Sequence, residues 1–556
     1  MTSFSSPVTT RRRLLQSASA LVALSAVNLP LFGKSGASAA ETTAEGGTLH
    51  IAFHRDNTDL VSIDPFQVYW LEHRVVLRNL AESLTDQNPK TGEIIPWLAT
   101  GWQISEDGLS YTFTLRKDVT FSNGSPFNAQ AVRTAFDSNK AFAASVPATF
   151  GRTYLAGYDR ADVVDDHTVR IHLSKPNAGF LQATSTTNLS ILAPESYQRT
   201  AQERSQGAII GTGPFVLEHY KPQVGIKLVR RDDYAWPSAA AHNRGKAHLA
   251  AIEIQYIPEE SVRNGQFLLG ELDLLWPRDP FSEPDLAQFR SADAQVLSRS
   301  LPGPALNLYP NVSEGRILSD PQVRAALQKS IDRKTFAEGV YSADFPIVQG
   351  PYDVTTPYFK SQSAKLAYDP DGAAQLLDKA GWLKRDDGWR YKDGKRLTLV
   401  RPLQTVESAG DVLIQDQLRQ VGIELKLEVL VAGEFQAFVA GARYDLHSTY
   451  MTRADPVVLQ TILDPRYTNN SALSKNAYPP ETLKKVQSFF DAGLQTTSSE
   501  ERAKAYAGLQ DVLIDDNVAF PIYERLWQAV AAPKVRDFQW TSEGFALFND
   551  IWFGEA

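Results

Sequence analysis

Apolar and polar residues alternate most cleanly in "YTFTLR" (Tyr111–Arg116), which follows an Asp107-Gly108 turn and reads as a β-strand. "HTVRIHLSKP" (His167–Pro176) repeats that two-residue period. Between them Asn123-Gly124 marks a second turn, and Asn128 is placed to cap a helix beginning near Ala129. "GTGPF" (Gly211–Phe215) reads as a tight turn into the strand "FVLEHY". Further on the period lengthens. In "SDPQVRAALQKSIDR", Asp320 caps a helix with Pro321 at its first position, and Val323, Leu327 and Ile331 form a stripe. "YDPDGAAQLLDKAGW" repeats the Asp-Pro start and stops at Gly381. Strand "RLTLVRPL", helix "AGDVLIQDQLRQVG" and strand "IELKLEVL" follow, with Ile423, Leu425, Leu427 and Val429 on one face. That succession predicts a parallel sheet, where ligands bind beyond the carboxyl ends of strands. The next predicted strand, "YDLHSTYM" (Tyr444–Met451), would set Arg453 just past such an end.

A chain of 556 residues exceeds one core and predicts about three domains. Apolar residues make up 43%, but 10 Trp, 20 Tyr and 27 Phe are a surplus that suits a pocket binding by contact area. Residues 1–40 form a leader: "TRRRLLQ" precedes an apolar stretch and a small-residue "ASA" at Ala37–Ala39. Its paired arginines, followed by leucines, resemble a twin-arginine address, the alternative being an ordinary secretory signal with extra basic residues. No later segment is apolar enough for a membrane span, and the absence of cysteine removes disulfides, thiolate metal sites and a lipidated cysteine anchor. A freely dissolved periplasmic protein, not an integral membrane protein, is expected. Without the leader, 52 basic residues face 64 acidic ones, a formal charge of −12, which argues against nucleic acid and anionic membranes as partners.

Catalytic motifs are missing: there is no GxSxG elbow, HExxH, Walker loop, GxGxxG, EF-hand loop or CxxC. His50 and His54 sit in strand-like "GTLHIAFH", which holds their rings roughly 13 Å apart, too far for one metal. His447 reads as a polar strand residue rather than a ligand. No metal site, cofactor or catalytic residue is predicted.

Six segments together resemble the bacterial extracellular solute-binding proteins of the dipeptide, oligopeptide and nickel class (family 5), which serve ABC importers. They are "GEIIPWLATGWQISEDGLSYTFTLRKDVTFSNGSPFNAQAV", "GTGPFVLEHY", "GELDLLW", "DPQVRAALQKSIDR", "YDPDGAAQLLDKAGW" and "ARYDLH…DP", in the family's order. The resemblance implies an α/β, two-lobed periplasmic-binding-protein fold, hinged, of class II, with an extra inserted domain. Lobe I would comprise residues 41–87, 208–303 and 524–556, the inserted domain 88–207, and lobe II 304–523. It also implies three cleft walls: Tyr69, Trp70 and Arg74 in "FQVYWLEHR", Phe150 and Arg152 in "ATFGRTY", and Tyr450. Two departures stand out. Thr452 occupies the position where peptide-binding members carry an aspartate, with Arg453 beside it, and "LDPRYTNNSAL" lacks the histidine of nickel-binding members.

Arg453 and Asp455 admit two readings. One is an exposed ion pair of roughly 0–1 kcal/mol. The other is a guanidinium fork holding a carboxylate or phosphate in a partly dry cleft. Joined to the resemblance, the second reading implies a monomeric binding protein that takes a small molecule or short peptide (peptide-like, opine-like or metal-chelate) and delivers it to ABC permease subunits. An exported, cofactor-dependent enzyme is the alternative.

Overall fold

The computed structural model describes residues 45–54, 62–146, 149–277, 280–404, 406–466 and 471–555, so the leader lies outside the described residues. A seven-stranded sheet runs in the order Gln295–Ser300, Leu526–Ala531, Leu274–Trp276, Thr48–Phe53, Ala251–Tyr256, Gly225–Arg230 and Phe215–Lys221. Its centre, "TLHIAF", is parallel to both neighbours, with Ile51 opposite Ile254 on one side and Leu274 on the other. Leu49, Ile51, Ala52 and Phe53 are all fully buried, the pattern of a strand covered on both faces. Val75, Val76 and Leu77 of the helix Leu71–Arg78 complete that core.

The alternating segments form a second, antiparallel sheet of four strands: Ala99–Ile104, Ser110–Leu115, Thr168–Leu173 and Tyr158–Asp165. Against it packs the helix Ala129–Ser145, capped by Asn128 Oδ1 accepting from the Ala131 amide. Gly108 and Gly124 take the left-handed φ of +66° and +83° that the two turns require.

The third region opens with helices Pro321–Lys329 and Pro370–Lys379, capped by Asp320 and Asp369. Strands Thr398–Gln404 and Glu424–Leu430 pair in parallel, Leu399 opposite Leu425, joined by the helix Ala409–Gln420 as the sequence predicts. A small sheet places Leu306–Pro310 between Leu446–His447 and Phe520–Tyr523. The chain therefore crosses between the large sheet and this one twice, after Ser300 and after Tyr523. The crossings are bonded side by side, Leu301 N to Arg525 O at 2.8 Å.

Two local expectations fail. The strand predicted over 444–451 is only Leu446–His447, antiparallel to Leu306–Pro310. Asp445 exchanges hydrogen bonds with Val400, and the chain then leaves the sheet to pack on the first crossing, Arg453 N donating to Pro302 O. Arg453 is thus six residues beyond the strand, beside the crossing. The glycines of "GTGPF" do not make a tight turn either. A Cβ would lie 2.1 Å from Leu80 O at Gly211 and 2.4 Å from Asn79 O at Gly213, so they permit close backbone approach. Gly213→Ala is expected to cost roughly 1–3 kcal/mol by urea denaturation, with overpacking as the cause.

Candidate functional site

Buried arginines from distant parts of the chain gather around Thr452. From the second crossing, Arg525 donates from Nη1 to Thr452 Oγ1 (3.0 Å) and from Nε to Pro304 O and Asp353 Oδ2 (2.7 and 2.9 Å). Its Nη2 reaches Pro302 O, and its guanidinium lies 5.1 Å over the Tyr450 ring. Asp353 is wholly buried and also accepts the Arg525 amide. Burial pushes its pKa well up, against the pull of Arg525.

From the other side comes Arg74, buried on the helix Leu71–Arg78. It pairs with Glu543 at 2.8 Å and donates to Thr452 O (3.3 Å) and Tyr154 Oη (3.4 Å). Burial alone would lower its pKa, but Glu543 and Tyr154 more than offset this and hold it above the ordinary value. The Phe150 ring lies 5.8 Å from this guanidinium, and Tyr69 meets Phe150 edge-on at 5.0 Å.

Arg453 points its Nε at Gln182 Oε1 (2.7 Å) and its Nη2 at Gly179 O (3.4 Å), with its guanidinium 4.7 Å from the Tyr154 ring. Only 5% of it is exposed, and no carboxylate among the described residues pairs with it. Asp455 does not pair with Arg453; its carboxylate takes Arg502 at 2.9 and 3.1 Å and caps the Val457 amide.

The structure therefore joins Tyr69, Phe150, Arg74, Thr452, Arg453 and Tyr450 through one chain of contacts, with Tyr154 and Arg525 as links. Trp70 is buried beside His54, its ring 6.4 Å away. Arg152 lies apart, exposed on a groove of about 680 Å³ with Lys140, Lys175 and Arg466. On the crossing side, Tyr450, Tyr341, Tyr523, Trp527, Glu72 and Arg525 line a cavity of about 70 Å³. Tyr154, Gln182, Asp353, Arg525 and Glu543 escape sequence reasoning. Arg525 alone leaves a signal, since "ER" interrupts the apolar run "AFPIYERLWQAVAA" where the chain changes sheets.

Two buried groups near these elements titrate in opposite senses. Burial, with the nearby charge of Arg401, lowers His447 from 6.5 to about 4. The unfolded chain then binds the extra proton, so stability from this group is full above pH 6.5 and is lost as pH falls towards 4. Burial raises Glu82 from 4.5 to about 7, against hydrogen bonds from Tyr234 and Trp236. Its contribution is full below pH 4.5 and is lost as pH rises through 7. The two slopes oppose each other in the intact protein. His447→Gln is expected to lose the gain of about 1.4 kcal/mol per pH unit that His447 supplies, checked by urea titrations of both chains at pH 4.5 and 6.5.

The profile of the bacterial extracellular solute-binding proteins, family 5, matches residues 93–472. The nickel-binding periplasmic protein of Escherichia coli K12 is 26% identical, over 80% of this chain and 83% of that protein. The glutathione-binding protein GsiB of Salmonella choleraesuis is 24% identical, over 84% and 87%. Among solved structures, NikA from Brucella suis in complex with Fe(III)-EDTA superposes with a TM-score of 0.78 at 25% identity, covering 91% of this chain and all of that one.

Proposed function

The chain belongs to the bacterial extracellular solute-binding proteins of family 5, and from that premise we propose that it captures a small carboxylate-bearing solute in the periplasm and delivers it to an ABC importer. The observation that carries this reading is the charge around Thr452. The Arg74 and Arg525 guanidiniums bond Thr452 and are answered by Glu543 and Asp353, while that of the adjoining Arg453, over the Tyr154 ring, has no carboxylate partner among the described residues. Arg453 is the unanswered one. A buried cation without an acid is costly in a medium of low polarity, and the Tyr154 face offsets only part of that cost. A guest carboxylate would complete the balance, with Tyr69, Phe150 and Tyr450 supplying contact area. Two of the similar proteins lean the same way, since glutathione and EDTA both carry carboxylates.

Lobe I is assigned to 41–87, 208–303 and 524–556, the inserted domain to 88–207 and lobe II to 304–523, which puts the two crossings at the borders. The open form admits the solute, and contacts from both lobes then favour closure. Residues 1–40 are assigned as the twin-arginine leader, and the mature chain acts as a monomer. The relatives named above are binding proteins, which gives the exported-enzyme reading no support.

Native mass spectrometry of gently purified protein identifies the retained solute. Calorimetry with that solute is then expected to give at least a tenfold weaker Kd for Arg453→Ala, about 1.4 kcal/mol or more. An unchanged Kd would remove Arg453 from the site.

A further inference from the structure

Beside the start of the first crossing lies a groove of about 370 Å³ that the solute reading leaves unused, with Asn88, Lys90, Thr91, Arg299, Thr355 and Ser542 in its lining. No Asp or Glu lines it, although the chain carries 64 acidic against 56 basic residues. The acids next to it in sequence are engaged elsewhere. Asp353 holds Arg525, Glu543 holds Arg74, and Glu524 is buried and accepts the Val354 amide at 2.7 Å. Glu93 lines a separate cavity with Asp455 and Arg502. Lys90 is exposed and makes no ion pair among the described residues.

The same groove holds hydrogen-bond donors that no described residue uses. Arg299, at the end of the strand Gln295–Ser300, donates from Nη2 to Pro89 O (2.9 Å) and Ser542 O (3.3 Å), which ties it to the loop 88–92. Its Nη1 makes no bond and keeps access to solvent. Burial lowers its pKa, and no nearby acid offsets this. Within the loop, Asn88 Oδ1 accepts the amides of Lys90 and Thr91 (2.9 and 3.2 Å), which fixes the side chain and leaves Nδ2 an open donor. Thr91 Oγ1 accepts the Glu93 amide at 3.2 Å, so its hydroxyl hydrogen is unspent. A guanidinium, an ammonium, a carboxamide N–H and a hydroxyl thus share one acid-free groove.

We propose that this groove binds a phosphate-type oxyanion, free or as a monoester, with Arg299, Lys90, Asn88 and Thr91 as its donors. Two cations balance a dianion, and the donors outnumber the two oxygens that a carboxylate presents, whereas a phosphate group presents three or more. Arg453 does not line the groove, so this site goes beyond the solute reading and does not depend on it.

Calorimetry at low ionic strength compares inorganic phosphate, glycerol 3-phosphate and acetate, and crystals soaked in selenate locate a tetrahedral dianion by its anomalous signal. Phosphate is expected to bind about tenfold more tightly than acetate, and the selenate peak to lie between Arg299 and Asn88. Asn88→Asp keeps the acceptor that shapes the loop but exchanges the donor for a negative charge, and is expected to weaken phosphate binding about tenfold or more. Lys90→Ala, at an exposed position, is expected to weaken it about threefold. No selenate in the groove, acetate bound as tightly as phosphate, or undiminished phosphate binding in Asn88→Asp would each overturn the assignment. The wild-type crystals and Lys90→Ala keep the test decisive if Asn88→Asp folds poorly. Tighter binding of glycerol 3-phosphate than of phosphate assigns an organic phosphate and the reverse order the free ion, and either order supports the site. Selenate at Arg453 alone refutes this site and spares the solute reading.

Discussion

Asp353→Ala is expected to destabilise the protein by roughly 3–5 kcal/mol, the cost of stripping one partner from a buried ion pair. Asp353 and Arg525 are both at most 5% exposed, and the carboxylate answers both the Nε and the backbone N–H of Arg525. Without it the guanidinium stays buried among carbonyl groups, which accept its protons but do not balance its charge. Asp353→Asn separates charge from hydrogen bonding. It keeps an acceptor, and its cost should still approach that of alanine if the pair is ionised. Urea denaturation near neutral pH measures all three chains, and an asparagine variant as stable as wild type would defeat the ionic account.

Glu543→Ala is the second large loss, again roughly 3–5 kcal/mol. Arg74 is 1% exposed, and Glu543 is the carboxylate at its side, 2.8 Å away. The remaining acceptors, Thr452 O and Tyr154 Oη, are long and neutral. Because the damage is an uncompensated charge, taking the charge away should repair much of it. The double variant Glu543→Ala, Arg74→Met is expected to be more stable than Glu543→Ala alone, since apolar replacement of a buried pair is often near neutral. A double variant that loses the full sum of the single losses would show instead that packing, not charge, holds this part of the cluster.

Local signals are legible in the chain, and long-range ones are not. Alternation found the strands Ser110–Leu115 and Thr168–Leu173, and the caps Asn128, Asp320 and Asp369 each begin the helix that the sequence assigns them. Such features depend on neighbours in the chain. The segment 444–451 has good strand alternation, yet packing on residues 302–303 ends its strand after His447. The cluster around Thr452 is further from reach, because its charges come from positions 74, 353, 453, 525 and 543, each ordinary in its own surroundings. The glycines at 211 and 213 show the same limit: nothing beside them tells that the backbone of Asn79 and Leu80 lies against them.

The two crossings also constrain motion. They are stitched edge to edge between Leu301 and Arg525, and Arg525 reaches from its own crossing to Pro302 and Pro304 on the other. A pair of straps tied together in this way bends easily and twists with difficulty. In the proposed opening and closing, such a tie would confine the motion to a single swinging axis and bring the same two faces back into the same register.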